Sequence, residues 1–235
     1  MKFNLQQAYE IGDLLCEATE QLLWPAASQW VHARQPASIL ECRVGRGQAT
    51  YHRFDARQQH HLITYGARMV AAKQQAETAI HWLSSREIQQ HRYFDGELST
   101  LNLLAHTCCH EFAHLLQQVA GKRLRGSVHN RHFYRLLDDL HEQGKAEEVR
   151  DFLQGEARQR SLALSATPFT RPDQRPLITQ WQVGDRVCFG DPPHRKRGRI
   201  LKVNKKTCTV ACDPGTVRYR VPVQMLRRLA AEQDS

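Results

Sequence analysis

Apolar residues near the start of the chain recur at helical spacing: Leu5, Ala8, Ile11, Leu15, Ala18 and Leu22. This period predicts a helix of about 20 residues, interrupted at Pro25. The period then shortens. SILECRV sets Leu40, Cys42 and Val44 on one face, and QATYHRF and HHLITYG follow across the polar DARQQ. Alternation with β-branched and aromatic content predicts three short strands. A helix is expected around 70–84, then a loop, FDGELST, with Ser99 or Thr100 as N-cap of the next helix.

From Leu101 to Ala120 the pattern is cleanest. Leu101, Leu104, Ala105, Cys108, Phe112, Leu115, Leu116 and Val119 form one apolar stripe, and Gly121 supplies a stop. A loop, KRLRGSV, leads to an amphipathic helix with Phe133, Leu136, Leu137 and Leu140 inward. Beyond it SATPFTRPDQRPLITQ (165–180) carries Pro168, Pro172 and Pro176 without periodicity and reads as a linker. Residues 181–229 then alternate in short runs, DRVCF, GRILKV, TCTVAC and VRYRVP, separated by the turn signals GDPP, NKK and DPG. Four or five short strands in this span predict a small all-β barrel. The expected organisation is an α+β domain over 1–164, the linker over 165–180 and the barrel over 181–229.

Composition sharpens this picture. No apolar run approaches the roughly 20 residues that cross a bilayer, and the acidic start lacks the order of a secretory signal. The seven cysteines form no CxxC pair, which argues against a disulfide framework or a zinc ribbon and for reduced thiols in the cytoplasm. The net charge of +9 is concentrated: residues 168–235 hold 14 Lys+Arg against 6 Asp+Glu, whereas residues 1–167 are nearly balanced. A concentrated basic module suggests a polyanionic partner such as nucleic acid.

The chemistry centres on CCHEFAHLLQQ (108–118). On a helix His110 and His114 lie one turn apart and point the same way, so two imidazoles can bind one Zn²⁺. Glu111, roughly 100° around the helix, can reach water at that ion without being a ligand. A third ligand is required. His129, after the loop at the start of the next helix, is the favoured choice over His132; Asp138, Asp139 and Glu142 read as a solvated face. His106 is expected to line the cleft. His52, His60, His61 and His91 lack ligand spacing and are expected mostly at the surface. Cys108 reads as core, and neither it nor Cys109 is given a catalytic role.

HEFAHLLQQVAGKRLRGSVHNRHF resembles the SprT-like (Spartan-type) zinc metalloproteases, whose pattern is H-E-x-x-H, a loop of similar length and a third His opening the next helix. The likeness spans about residues 5–145. It implies a zincin-like fold, zinc on His110, His114 and His129, and Glu111 as catalytic base. Asn130 stands where the family often has Gly, and the zinc ribbon of many bacterial members is lacking. Members of the Spartan type degrade proteins crosslinked to DNA.

The basic module resembles SH3-like barrels of the KOW or Tudor kind by strand order alone. Arg195, Lys196, Arg197, Arg199, Lys202, Lys205, Lys206, Arg218 and Arg220 are its expected phosphate-binding face, with Tyr219 and Trp181 as stacking or core residues. The expectation is therefore a zinc endopeptidase that acts on protein substrates in the cytoplasm near the nucleoid. Its barrel would recruit it to nucleic acid, DNA ahead of RNA, and HHLITYG would be the sheet edge that receives an extended substrate. The rivals are a nucleic-acid-binding protein with a structural or non-catalytic zinc and a peptide-binding adaptor.

Overall fold

A computed structural model describes residues 5–124, 126–169, 178–190, 195–205, 207–213 and 217–229. The chain has a mixed α+β fold with two sheets, and it divides into two units at Thr170/Arg171, inside the expected linker. Residues 170–177 of that linker lie outside the described residues. Among the described residues no helix is long and apolar enough to cross a membrane.

The first unit opens with α1 (Leu5–Ala18), a π-helical segment (Thr19–Leu23) and α2 (Trp24–His32). Pro25 thus does not end the helical run. The Trp24 N–H bonds back to Thr19 O across the widened turn, and Pro25 falls in the first turn of α2, where a missing N–H costs nothing. Strands β1 (Ile39–Gly45), β2 (Tyr51–Asp55) and β3 (His60–Gly66) form a sheet in the order β1-β3-β2. β3 is parallel to β1 and antiparallel to β2. HHLITYG is therefore the central strand and cannot be a free edge. On this side the open edge belongs to β2.

The helix expected around 70–84 is three shorter pieces: α3 (Ala67–Lys73), α4 (Ala76–Ala79) and α5 (Leu83–His91). Each break turns the chain, and α5 comes to lie against the central helix α6 (Thr100–Val119). Ser99 caps α6 by accepting from Asn102 N, and every residue of its expected apolar stripe is buried. Gly121, at φ +67, follows its C-terminus and allows Lys122 N to bond Gln117 O at 3.0 Å. Two more helices, α7 (Arg131–Glu142) and α8 (Lys145–Gln159), pack on α6 and on each other. The core joins α1, β3, α3, α6, α7 and α8 through residues such as Ile11, Leu15, Tyr65, Met69, Phe112, Phe133 and Leu153. Burying each such side chain contributes about 1.5–3 kcal/mol.

In the second unit β4 (Arg186–Phe189), β5 (Lys196–Val203), β6 (Thr207–Cys212), β7 (Arg218–Pro222) and β8 (Arg227–Arg228) form an antiparallel sheet in the order β7-β6-β5-β4-β8. TCTVAC puts Cys208, Val210 and Cys212 inward, with Trp181, Val187, Ile200 and Val221. A register shift between Ile200 and Lys202 makes Leu201 an extra residue, which explains why this leucine faces solvent.

Candidate metal centre

The central helix presents His110 and His114 one turn apart, and the loop before α7 swings His129 over them. His129 Nε2 lies 3.2 Å from both His114 Nε2 and His110 Nε2. A tetrahedral set of nitrogens about 2.05 Å from an ion has edges of about 3.3 Å, so these two separations match its edges, and ligand atoms of all three residues lie within 4.8 Å of one another. His132 is exposed and stays outside the group. Phe133 supports all three rings, stacked on His114 at 4.3 Å and edge-on to His110 and His129 at 4.9 Å.

The loop that carries His129 is fixed by two amides. Asn130 caps α7, its Oδ1 accepting from His132 N at 3.0 Å and Phe133 N at 3.1 Å, while its Nδ2 donates to Lys122 O and Ser127 O. Gln117, fully buried on α6, donates to Val128 O at 2.9 Å and to Asn130 Oδ1 at 3.1 Å. His114 Nδ1 meets the Gln117 carbonyl oxygen at 3.5 Å.

A second buried acid orients the first ligand. Glu87 Oε2 lies 3.0 Å from His110 Nδ1 and 3.0 Å from His106 Nε2. Holding the Nδ1 proton of His110 on a carboxylate leaves Nε2 bare for a metal. Burial would raise the Glu87 carboxyl, but the hydrogen bonds from His106 and His110 outweigh it and hold it well below the usual carboxylate range. Glu87 escaped the sequence reading because nothing local marks it: α5 buries Ser84, Ser85 and Glu87 beside a single large apolar residue, Ile88. His106 is fully buried, so it does not line the cleft. It joins Glu87 to His141, with 3.0 Å from its Nδ1 to His141 Nε2.

Glu111 is 5% exposed, and its Oε2 has no hydrogen-bond partner among the described residues. Burial raises its pKa, with His110, Lys73 and Arg123 pulling the other way. A buried orphan oxygen beside three convergent imidazoles fits a metal centre with water in its fourth position. The donor set is suitable as well: burial lowers His114 to about 3 and also lowers His129, so both rings are neutral and free to coordinate at neutral pH. All of these groups open into one cleft of about 260 Å³, lined also by Thr50, Tyr51, His52, Lys73 and Arg123.

His52 and His61, expected at the surface, are both buried. Alternation along β2 and β3 turns them to the inner face of the sheet, where they bond each other at 3.0 Å. Cys108 and Cys109 are fully buried core residues with raised thiol pKa values.

In the second unit the strand register sets Arg186, Arg199, Ala211 and Arg218 in one cross-strand row, and Lys202, Thr209 and Arg220 in the next. Arg186, Arg199, Lys202, Arg218 and Arg220 are exposed; Arg186 was not foreseen. Arg195, Arg197 and Lys205 are exposed too. The Lys196 ammonium is engaged by Tyr219, to whose hydroxyl it donates and over whose ring it lies at 4.1 Å. Lys206 lies outside the described residues. Trp181 is core, with Arg228 over its ring at 5.3 Å.

No protein-family model, curated protein or solved structure matches this chain.

Proposed function

We propose that the first unit is a zinc-dependent endopeptidase of the SprT-like, zincin-like kind. The observation that carries this reading is the triangle of His110, His114 and His129 nitrogens facing a cleft that also holds the unpartnered oxygen of Glu111. A structural zinc is closed by four protein ligands, whereas this group, among the described residues, has three. Zinc bound there supplies Lewis acidity, acidifying water and polarising a carbonyl.

The residues divide the remaining work. Glu111 accepts a proton from water as the water oxygen bonds to the peptide carbon. It then returns the proton to the leaving nitrogen as the C–N bond breaks. The raised pKa of Glu111 suits a group that must both take and give that proton. Phe133 and Glu87 hold the imidazole cage in place. The open edge of β2, whose first residues line the cleft, offers backbone groups to which an extended substrate can add as a further strand.

The second unit, read as an SH3-like barrel, is the recruiting module, with its arginine row directed at phosphates. DNA-bound or DNA-crosslinked proteins are the substrate class this pairing favours.

The test is Glu111→Gln. Zinc content should match that of the unsubstituted protein, while cleavage of an unfolded protein, with or without DNA, should disappear. Full activity in this variant removes the mechanism. A chain that holds zinc yet cleaves nothing in either form supports instead a nucleic-acid-binding protein with a non-catalytic site.

A further inference from the structure

Arg123 lies just beyond α6, on the loop that leads to His129, and lines the same cleft as Glu111 and the three imidazoles. Its position is unusually determined for an arginine on a loop. Nη1 donates to His52 Nδ1 at 2.8 Å, and Nη1 and Nη2 both reach His52 O at 3.3 Å.

The bond to Nδ1 has a consequence for the whole inner face of the sheet. A guanidinium only donates, so His52 Nδ1 must accept and its proton must sit on Nε2. That proton points at His61 Nδ1, 3.0 Å away, which in turn places the His61 proton on Nε2, facing Gln35 Oε1 at 3.1 Å. The chain Arg123–His52–His61–Gln35 therefore has one direction throughout, and each member fixes the next. Burial keeps both rings neutral, His61 at about 4 and His52 at about 2. No carboxylate takes part, so the arginine's charge is not neutralised by its anchor. Three of its N–H groups serve that anchor. Those left on Nη2 and Nε have no acceptor among the described residues.

The other cation among the described residues that line the cleft does not compete for this role. Lys73 is almost fully buried, and its ammonium donates to the Thr107 hydroxyl on α6. Arg123 is only half-buried. It lines the cleft together with Glu111, His110, His114 and His129.

We infer that Arg123 is a further catalytic residue, donating through its free N–H groups to the substrate carbonyl oxygen as negative charge develops there. The inference rests on the hydrolase reading and adds the group that stabilises the oxyanion. Water's oxygen adds to the carbonyl carbon, the C=O electron pair moves onto oxygen, and Arg123 meets that charge with an already oriented donor pair. The pair returns as the C–N bond breaks. A donor fixed in advance needs no reorganisation at the moment of reaction, and removing one such donor costs about 10²–10³-fold in turnover.

The experiment uses the zinc-loaded full chain and a phosphinic pseudopeptide, whose anionic tetrahedral group resembles the charged state. Its affinity is measured by calorimetry beside cleavage of an unfolded protein. For Arg123→Ala we expect unchanged zinc content, an affinity for the phosphinic group weaker by about 10²–10³-fold, and a similar loss in kcat with little change in KM. Millimolar guanidinium should restore part of the turnover. Arg123→Lys, which keeps the charge but not the fork, should also lose phosphinic affinity and turnover and covers the case in which the alanine variant fails to fold.

Unchanged phosphinic affinity in Arg123→Ala overturns the assignment. So does a loss confined to peptides with a free C-terminal carboxylate and expressed in KM, because that pattern belongs to a substrate clamp. Failure of the parent reading looks different: the unsubstituted, zinc-containing chain would neither bind the phosphinic peptide nor cleave.

Discussion

At the scale of single residues the candidate site is a lesson in which contacts sequence spacing encodes. His110 and His114 are legible because the helix repeat fixes their relation, and His129 follows because the connecting loop is short. Glu87 belongs to a helix 19 residues before its partner His106, so its role is purely tertiary and leaves no local mark. The amides behave similarly. Gln117 and Asn130 stand where longer zinc signatures or the resembled family favour glycine, yet here they tie the His129 loop to α6 through partly buried hydrogen bonds. The strongest residue-level consequence concerns Glu87. Its carboxylate holds the Nδ1 proton of His110, so Glu87→Ala should weaken zinc binding about 10–100-fold. Competition with a chromophoric chelator measures this. Glu87→Gln, which keeps an acceptor oxygen, should lose less, and equal affinities in all three proteins would show that His110 needs no outer support.

At the scale of elements the helical period was readable where one face is apolar and the other polar, as in α6 and α7. It was misread where turns interrupt it. The run over 70–84 has the composition of one helix but bends twice, since α3 must follow directly from β3 and α5 must reach α6. Strand order was not legible either, because β1 and β2 both pair with β3 and alternation alone does not say which strand is central. That placement buries His52 and His61, and with His106 on α6 they make the first unit sensitive to acid. Burial lowers His61 and His106 to about 4, against an ordinary value of 6.5. Between those values the unfolded chain binds protons that the folded chain refuses, so stability falls as pH drops from 6.5 towards 4 and the loss is complete below the folded value. One pKa unit corresponds to about 1.4 kcal/mol, so the two rings together account for up to about 7 kcal/mol. For the metal-free protein in chelator, the denaturation midpoint should decline steadily across this window. A flat profile would mean that these rings accept protons within the fold at no cost.

At the scale of the whole molecule the two units divide charge as they divide structure. The second, residues 171–235, carries 14 Lys+Arg against 6 Asp+Glu, and the strand register gathers part of that excess into two adjoining rows. Like charges side by side on a sheet are unfavourable unless a polyanion or salt relieves them. Arg186 finds a nearby acid in Asp213, at 3.8 Å, and Arg220 Nε donates to the Thr207 hydroxyl at 3.0 Å. Arg199 and Arg218 flank Ala211, whose small side chain leaves the space between them open. If this row binds phosphates, each contact releases a counterion, and affinity for DNA falls with salt along a line whose slope counts the contacts. Replacing Arg199 and Arg218 with serine should weaken duplex binding and make that slope shallower by about 1.8, or about 1.4 for a single strand. The same substitutions should leave cleavage of an unfolded protein in the absence of DNA unchanged, because they lie outside the first unit. Titrating a labelled oligonucleotide across a salt series, with the full chain and the double variant, separates the outcomes. An unaltered slope would mean that these arginines touch no phosphate, and no binding at low salt would remove recruitment to nucleic acid while leaving the zinc chemistry standing.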